Sequence, residues 1–469
     1  MNTGAEDEFA QRSNGFMGWL KQHPGVRVNP KIRIADLRPT GAGRGIVACE
    51  EIVQDEELFA IPEDLVLSVA NSKIKDRINF ADENFDTWLS LIVTMIFEYL
   101  QGGVSKWSPY FGVLPTDFDT LMFWTENELR ELQGSSVLDK IGKQEADQVI
   151  LDKVLPVVLE HPDLFPPVNG LASFDSPCGK EVVLQLAHRM GTLIMAYAFD
   201  IEMDQDEDQD GEDGYVTDDE QEKAKGMVPL ADLLNADAHR NNARLFQEDG
   251  YFIMRSIAPI SIEMEIFNDY GELPRSDLLR RYGYITENYA PYDVVEISLE
   301  AICNIAGVEE GCCQLELLED AGVLEDGYAL SRPEGDAITT EAIPAELLIL
   351  LRTLRSPRKD LDQMRKKGKL PKAELDKPCA RLLVEILQNR QKDYPTTIAQ
   401  DDELLQALGS SQVHRREMAV RVRKGEKEIL QLLLDKLLMY INGTAETEKG
   451  QPKRPMAQTA QERKKQRMK

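Results

Sequence analysis

Cysteine is scarce. The 469 residues contain six, Cys49, Cys178, Cys303, Cys312, Cys313 and Cys379, with no C-x-x-C pair among them. That spacing indicates neither a zinc ribbon nor a disulfide framework, and it fits a reducing compartment, cytosol or nucleus. No long hydrophobic run is present. The most apolar stretch, Trp88 to Leu100, contains Glu98 and follows Asp86, so it is too short to span a bilayer and reads as a buried helix. Residues 1–15 are polar and acidic, and no secretory signal peptide is expected. Positive charge is in deficit, with 54 Lys+Arg against 82 Asp+Glu and a net charge of −28. Such a surface argues against docking along bare phosphate and suits basic protein partners. At 42 % hydrophobic the chain still builds ordinary cores, and its length suits two or three domains.

Periodicity organises the rest. Residues 1–14 read as a loose polar start, and Phe16, Met17, Trp19 and Leu20 as a short amphipathic helix stopped by Pro24-Gly25. Ile32 and Ile34 alternate with polar neighbours as a strand. A glycine-rich turn, Gly41-Ala42-Gly43-Arg44-Gly45, follows, with β-rich runs after it at 46–49 and 57–62. Residues 75–195 read mostly as helices. The stretch 200–222 holds thirteen Asp/Glu and no Lys or Arg, a self-repelling block expected to be a disordered loop. Strand patterns return at 227–230, 251–257 and 260–266, and from about 295 the pattern is helical, ending in a long helix from about 411 to 440. Residues 453–469 hold seven basic side chains and one Glu, a basic tail that could serve as a nuclear import signal.

Three segments could carry chemistry. The glycine turn lets backbone approach a ligand closely. It superficially matches a Rossmann nucleotide turn, but that motif places a helix directly after it, whereas Ile46 and Val47 are β-branched; a bland hairpin turn is the other reading. The second segment runs from Pro229 to Leu245 and gathers Asp232, Asn235, Asp237, His239 and Asn242. Asn offers donors and acceptors together, although a loop with Asx turns explains the cluster as well. His239 has no second His at metal spacing. The third, Glu265-Ile-Phe-Asn-Asp-Tyr270-Gly271, leads into Arg281-Tyr282-Gly283; its tyrosines could pack or meet in one pocket.

Taken in this order, the three segments resemble those of the SET-domain protein lysine methyltransferases, and more narrowly the branch typified by the plant Rubisco large-subunit methyltransferase and the fungal ribosomal lysine methyltransferases. Ala42-Gly43-Arg44-Gly45 is similar to the family's first motif, Ala231-Asp232-Leu-Leu-Asn235-Ala236 to its Ala-Asp-x-x-Asn-His segment, and Asn268-Asp269-Tyr270-Gly271 to its Tyr-Gly motif. Two departures stand out: Ala236 replaces the usual His, and Glu263 replaces the Gly before the final strand. The strand alternation through 260–266 conflicts with the family's turn there, and that boundary stays open.

The resemblance implies an α+β chain: a split SET β-fold over 16–290 with a helical insert (75–195) and the acidic disordered loop (200–226), an all-α substrate-binding domain over 291–445, and a basic disordered tail over 446–469. It implies an S-adenosylmethionine-dependent enzyme that monomethylates a lysine of a large-subunit ribosomal protein; the basic tail adds an expectation of nuclear residence, with the cytoplasm as a second location. The alternative is a catalytically inactive SET-like scaffold for basic partners. By the same resemblance Tyr270 is catalytic. Ala42, Gly43, Arg44, Tyr197, Asn235, Ala236, Asn242 and Tyr282 hold the cofactor, and Trp107, Ala198, Asp200 and Asp232 line the substrate side. The expected state is a monomer without direct contact to nucleic acid or membrane.

Overall fold

The alternation at Ile32 and Ile34 becomes a strand in the computed structural model, which describes residues 3–81, 85–168, 170–201, 224–309, 311–335, 342–408 and 414–443. Most of the acidic segment and the whole basic tail therefore lie outside the described residues. The chain divides into two units, Met1–Phe118 with Gly142–Gly271, and Asp119–Ile141 with Glu272–Arg463. The division thus falls before 272 rather than at 290, and it takes 119–141 out of the helical insert.

The first unit contains α1 (Thr3–Gln22), β1 (Arg27–Val28), β2 (Ile32–Asp36), β3 (Arg44–Ala48), β4 (Glu57–Pro62), α2 (Thr87–Leu100), α3 (Pro177–Tyr197), β5 (Phe199–Ile201), β6 (Ala224–Gly226), β7 (Ala243–Glu248), β8 (Tyr251–Ser256) and β9 (Glu265–Ile266). Small antiparallel sheets run in the orders β1-β4-β8-β7, β2-β3-β9 and β5-β6. A strand, not a helix, follows Gly45, which removes the Rossmann reading. The flanks of the acidic segment pair as β5 and β6, so the loop expected over 200–226 is shorter at both ends.

The amino terminus is not loose. Helix α1 starts at Thr3, well before the apolar positions that mark it in the sequence. An i,i+4 pair of Glu8 with Arg12 supports its first turns. The Phe9 ring lies under two guanidinium groups, 4.4 Å from Arg38 and 4.2 Å from Arg44, a cation–π arrangement. Farther along, Phe16 and Trp19 stack on Tyr110 at 5.9 and 6.4 Å.

Asp86 caps α2 by accepting from the Leu89 N–H at 2.7 Å. Ten residues of this helix are buried, Glu98 among them. That carboxylate is satisfied by the hydroxyls of Ser72 and Ser105, each at 2.6 Å, as a buried charge requires. Helix α3 begins with the Ser176 cap and Pro177.

In the second unit α4 (Arg275–Tyr282), β10 (Val294–Ser298), β11 (Gly327–Ser331), α5 (Ala345–Leu354), α6 (Arg358–Lys367), α7 (Lys377–Gln391), α8 (Ile398–Leu408) and α9 (His414–Asn442) are the main elements. The unit is mostly helical, but it carries the antiparallel β10–β11 ribbon within a domain read as all-α. Segment 119–141 belongs here because α9 holds it. Arg415 pairs with Asp119 and Glu128, Arg423 with Glu131, and the Ser135 hydroxyl donates to Glu426 at 2.6 Å. Burial pushes the Glu426 carboxyl up to about 7 despite bonds from Ser135 and Tyr394. Along the same helix, Gly425 lies against the buried Arg275–Asp293 ion pair.

Candidate active site

The glycine turn is closed by its own backbone. The Leu37 N–H donates to the Gly43 carbonyl at 2.9 Å and the Ala42 N–H to the Leu37 carbonyl at 3.1 Å. Gly41, at φ +87°, supplies the left-handed residue the turn needs. Gly45 sits in β3, where an added Cβ would collide with Leu37 and press on Glu265 and Asn235. Gly43 differs from both. It is exposed, its φ is not positive, and a Cβ there would meet no atom within 4 Å. Nothing inside the chain accounts for a glycine at 43, whereas close approach of a ligand to that backbone would.

Asn235 ties the turn to the third segment. Its amide N–H groups donate to the Arg44 carbonyl at 3.3 Å and to Glu265 Oε1 at 2.7 Å. Burial raises the Glu265 carboxyl above its usual range, with the Asn235 bond opposing the shift. The Asn268 N–H donates to the Asn235 carbonyl at 2.8 Å, and Ala236 bridges Asn268 in parallel. Residues 235–237 thus run beside 266–268. Gly271, at φ +84°, turns the chain after Tyr270, its N–H bound to Asp269 Oδ1 at 2.7 Å. The Tyr270 hydroxyl donates to the Leu234 carbonyl at 3.4 Å, a long, weak bond. Gly43, Asn235 and Tyr270 therefore converge, although 191 positions separate the partners in the Asn235–Arg44 bond.

Behind this cluster lies a buried pair. The Tyr110 hydroxyl donates to Asp232 Oδ2 at 2.5 Å, while Asp232 Oδ1 is buried with no partner among the described residues. Desolvation raises the Asp232 carboxyl to about 7, against the bonds from Tyr110 and the local backbone. Leu230, just before it, adopts φ +76°, a strained conformation for a branched residue. The sign of the pH effect follows. Unfolded, Asp232 titrates near 3.8, so between about pH 4 and 7 the folded state binds more protons and stability falls as pH rises. Asp232→Asn keeps an acceptor for Tyr110 and removes the titration. Its melting temperature is expected to gain on wild type from pH 5 to about pH 7 and to level off above that; a constant difference would refute the assignment.

Other expected site residues fall differently. Trp107 is 1 % exposed, and its indole N–H donates to the Leu65 carbonyl at 2.8 Å, so it is a core residue rather than part of an open substrate wall. Both ends of the Asn242 side-chain amide bind backbone, at Glu265 O (3.0 Å) and Phe267 N (2.9 Å); it pins the 265–267 segment, which leaves its amide committed to the fold rather than to a cofactor. Asp200 pairs with Lys225 across β5–β6 at 2.9 Å. Tyr197 ends α3, and the Ala198 N–H caps it on the Ile194 carbonyl. The Asp232 side chain is 7 % exposed and faces Tyr110, so it does not line an open surface. Tyr282 belongs to the second unit, where it meets Tyr284 edge-on at 6.4 Å and desolvation raises its phenol to about 12. Two contributors, Glu265 and Tyr110, escape a reading of the sequence. Glu265 is signalled only by Gly45 in β3, whose missing Cβ leaves room for its carboxylate, and Tyr110 by no local pattern. Among the described residues no group of three His, Cys, Asp or Glu could hold a metal ion.

Family models match two stretches, the SET domain at residues 43–271 and the Rubisco LSMT substrate-binding domain at residues 313–430. Ribosomal lysine N-methyltransferase 4 of Saccharomyces cerevisiae is 36 % identical over 307 residues, covering 63 % of this chain and 60 % of that protein. N-lysine methyltransferase SETD6 of Homo sapiens is 28 % identical over 470 residues, covering 91 % of this chain and 92 % of that protein. In architecture the chain is similar to the solved structure of Rubisco LSMT bound to AdoMet, with a TM-score of 0.68 at 22 % identity over 92 % of this chain and 93 % of that one. The chain thus carries a SET domain followed by a Rubisco LSMT substrate-binding domain, and its curated relatives are named lysine N-methyltransferases.

Proposed function

We propose that this enzyme transfers one methyl group from S-adenosylmethionine to a lysine of a large-subunit ribosomal protein, and that it works in the nucleus. The observation that carries the site assignment is Gly43, a glycine whose freedom the chain itself does not use, beside Asn235 and Tyr270. The cofactor supplies a methyl carbon made electrophilic by its sulfonium. Backbone at 42–44, together with Asn235 and the backbone of Ala236, holds it. Tyr270 orients the phenol hydroxyl toward the reacting groups.

The substrate lysine, with a free pKa near ~10.4, must lose its proton before its nitrogen attacks. Burial of the amine in a dry channel favours the neutral form. Bound there, the cofactor would supply its methyl carbon to the amine nitrogen, the carbon–sulfur bond breaking as the carbon–nitrogen bond forms. Positioning of the two partners in line supplies on the order of 7–11 kcal/mol in favourable intramolecular cases.

The ribosomal target is supported by the name of the yeast relative and by an acidic chain at −28, whose field draws in lysine-rich proteins. Single methylation follows the resemblance to the fungal subgroup. The basic sequence at 453–469 supports nuclear residence. Incubation with labelled S-adenosylmethionine and separated large-subunit ribosomal proteins, followed by mass spectrometry, is expected to find one lysine carrying one methyl group. Label on histones alone, or di- and trimethyllysine as the end product, would overturn the corresponding part.

A further inference from the structure

The molecule is acidic overall, yet besides the basic tail a stretch of the second unit reverses the sign. Residues 355–372 hold eight basic and two acidic side chains. Most of the stretch is α6, a ten-residue helix that buries only Leu361. Arg358, Lys359, Lys366, Lys367, Lys369 and Lys372 are exposed and form no ion pair among the described residues. Elsewhere in the same unit arginines are used internally, as Arg275, Arg415 and Arg423 show.

Helix stability does not explain the pattern. Cations in the last turn (Arg365, Lys366, Lys367) suit the negative end of the helix dipole, and the Gly368 cap ends the helix there. Arg358 and Lys359, however, occupy the first positions after the Pro357 cap, where the dipole is positive and only the neighbouring Asp360 is favoured. Charge is placed at both ends, for and against the helix alike. The outward face also offers no aromatic or large aliphatic anchor, which a protein interface needs at its centre. A phosphate backbone needs none, because neutralising charge supplies its affinity.

We infer that α6 and the turn after it form a docking face for the phosphate backbone of single-stranded nucleic acid. The net charge of the chain does not forbid this. At physiological salt the Debye length is ~8 Å, so a strand lying on this face responds mainly to the local cations. The inference is independent of which lysine the enzyme methylates.

The test uses the full chain and a fluorescent 20-nucleotide single-stranded RNA. Binding is expected at 50 mM salt and should weaken on the order of 100-fold by 200 mM. The variant Arg358→Glu/Lys359→Glu/Lys366→Glu/Lys367→Glu should bind at least tenfold more weakly, with a log–log salt slope shallower by about 3. A companion with Gln at the same four positions should lose binding likewise and guards against misfolding by reversed charge. Both should keep wild-type affinity for S-adenosylmethionine, whose proposed contacts lie in the first unit. Absent binding at 50 mM salt, or variants that bind as wild type does, would overturn the inference. So would polyglutamate competing as well as RNA, which would assign the face to an acidic protein instead.

Discussion

Tyr270→Phe is expected to lower methyl transfer by about 10²–10³-fold, the range seen when one preorganised donor is removed from a reacting centre. Affinity for S-adenosylmethionine should stay within about twofold, because the phenyl ring remains and the turn at 42–44 is untouched. The hydroxyl sits beside the Leu234 carbonyl at 3.4 Å, next to Asn235. Its bond to that carbonyl is long and weak, so folding should be little affected. A phenol titrates near ~10 and is mostly protonated at neutral pH, so it acts as an oriented dipole rather than as a committed base. Single-turnover rates with calorimetric cofactor affinity check this; a variant as fast as wild type removes Tyr270 from the reacting centre.

Gly425→Ala is expected to destabilise the second unit by about 2–4 kcal/mol, although alanine is the better helix former. Two effects compete. Replacing Gly inside a helix gains roughly 1 kcal/mol. Against that, the new methyl would land on Asp293 Oδ2 and Arg275 Nη2, the two ends of a buried ion pair that is otherwise closed at 2.6 Å. Breaking such a pair without admitting water costs about 3–5 kcal/mol, so the second effect wins. Gly191→Ala in α3 provides the contrast. Its added methyl would come no nearer than 3.5 Å to Ile92, and that variant should gain about 0.5–1 kcal/mol. Urea unfolding of both variants checks the pair; two gains would show that α9 gives way without penalty.

How much of this is legible from the sequence depends on whether a signal is local. The glycine turn between strands, α2 and the Tyr-Gly segment all follow from period and turn chemistry. The alternation at 260–266 misleads because only Ile260 and Ile266 face the core. Ile262 and Met264 are 54 % and 49 % exposed. Glu263 takes φ +62°, held by Arg33 at 2.9 Å, so a turn fills the place where glycine is usual. Strand β9 is left with two residues. The β10–β11 ribbon was readable, since Val295 and Ile297 pair with Leu330 and Tyr328, but leucine-rich helices surround it and mask the period. What no local pattern carries is commitment. Asn242 and Trp107 have the chemistry of contact residues, yet the fold spends both on its own carbonyls and amides.

The pairing of β3 has a consequence during synthesis. Its first neighbour, β2, lies a few residues upstream, but Ile46 meets its second partner only at Ile266. Closing so long a loop is slow, and contacts of this range form late. A nascent chain therefore exposes the glycine turn long before Asn235 and Tyr270 leave the ribosome. Until then the inserted helices must fold without the sheet that later flanks them. A truncated product ending before residue 266 would carry the first motif complete and still have no centre at which to react.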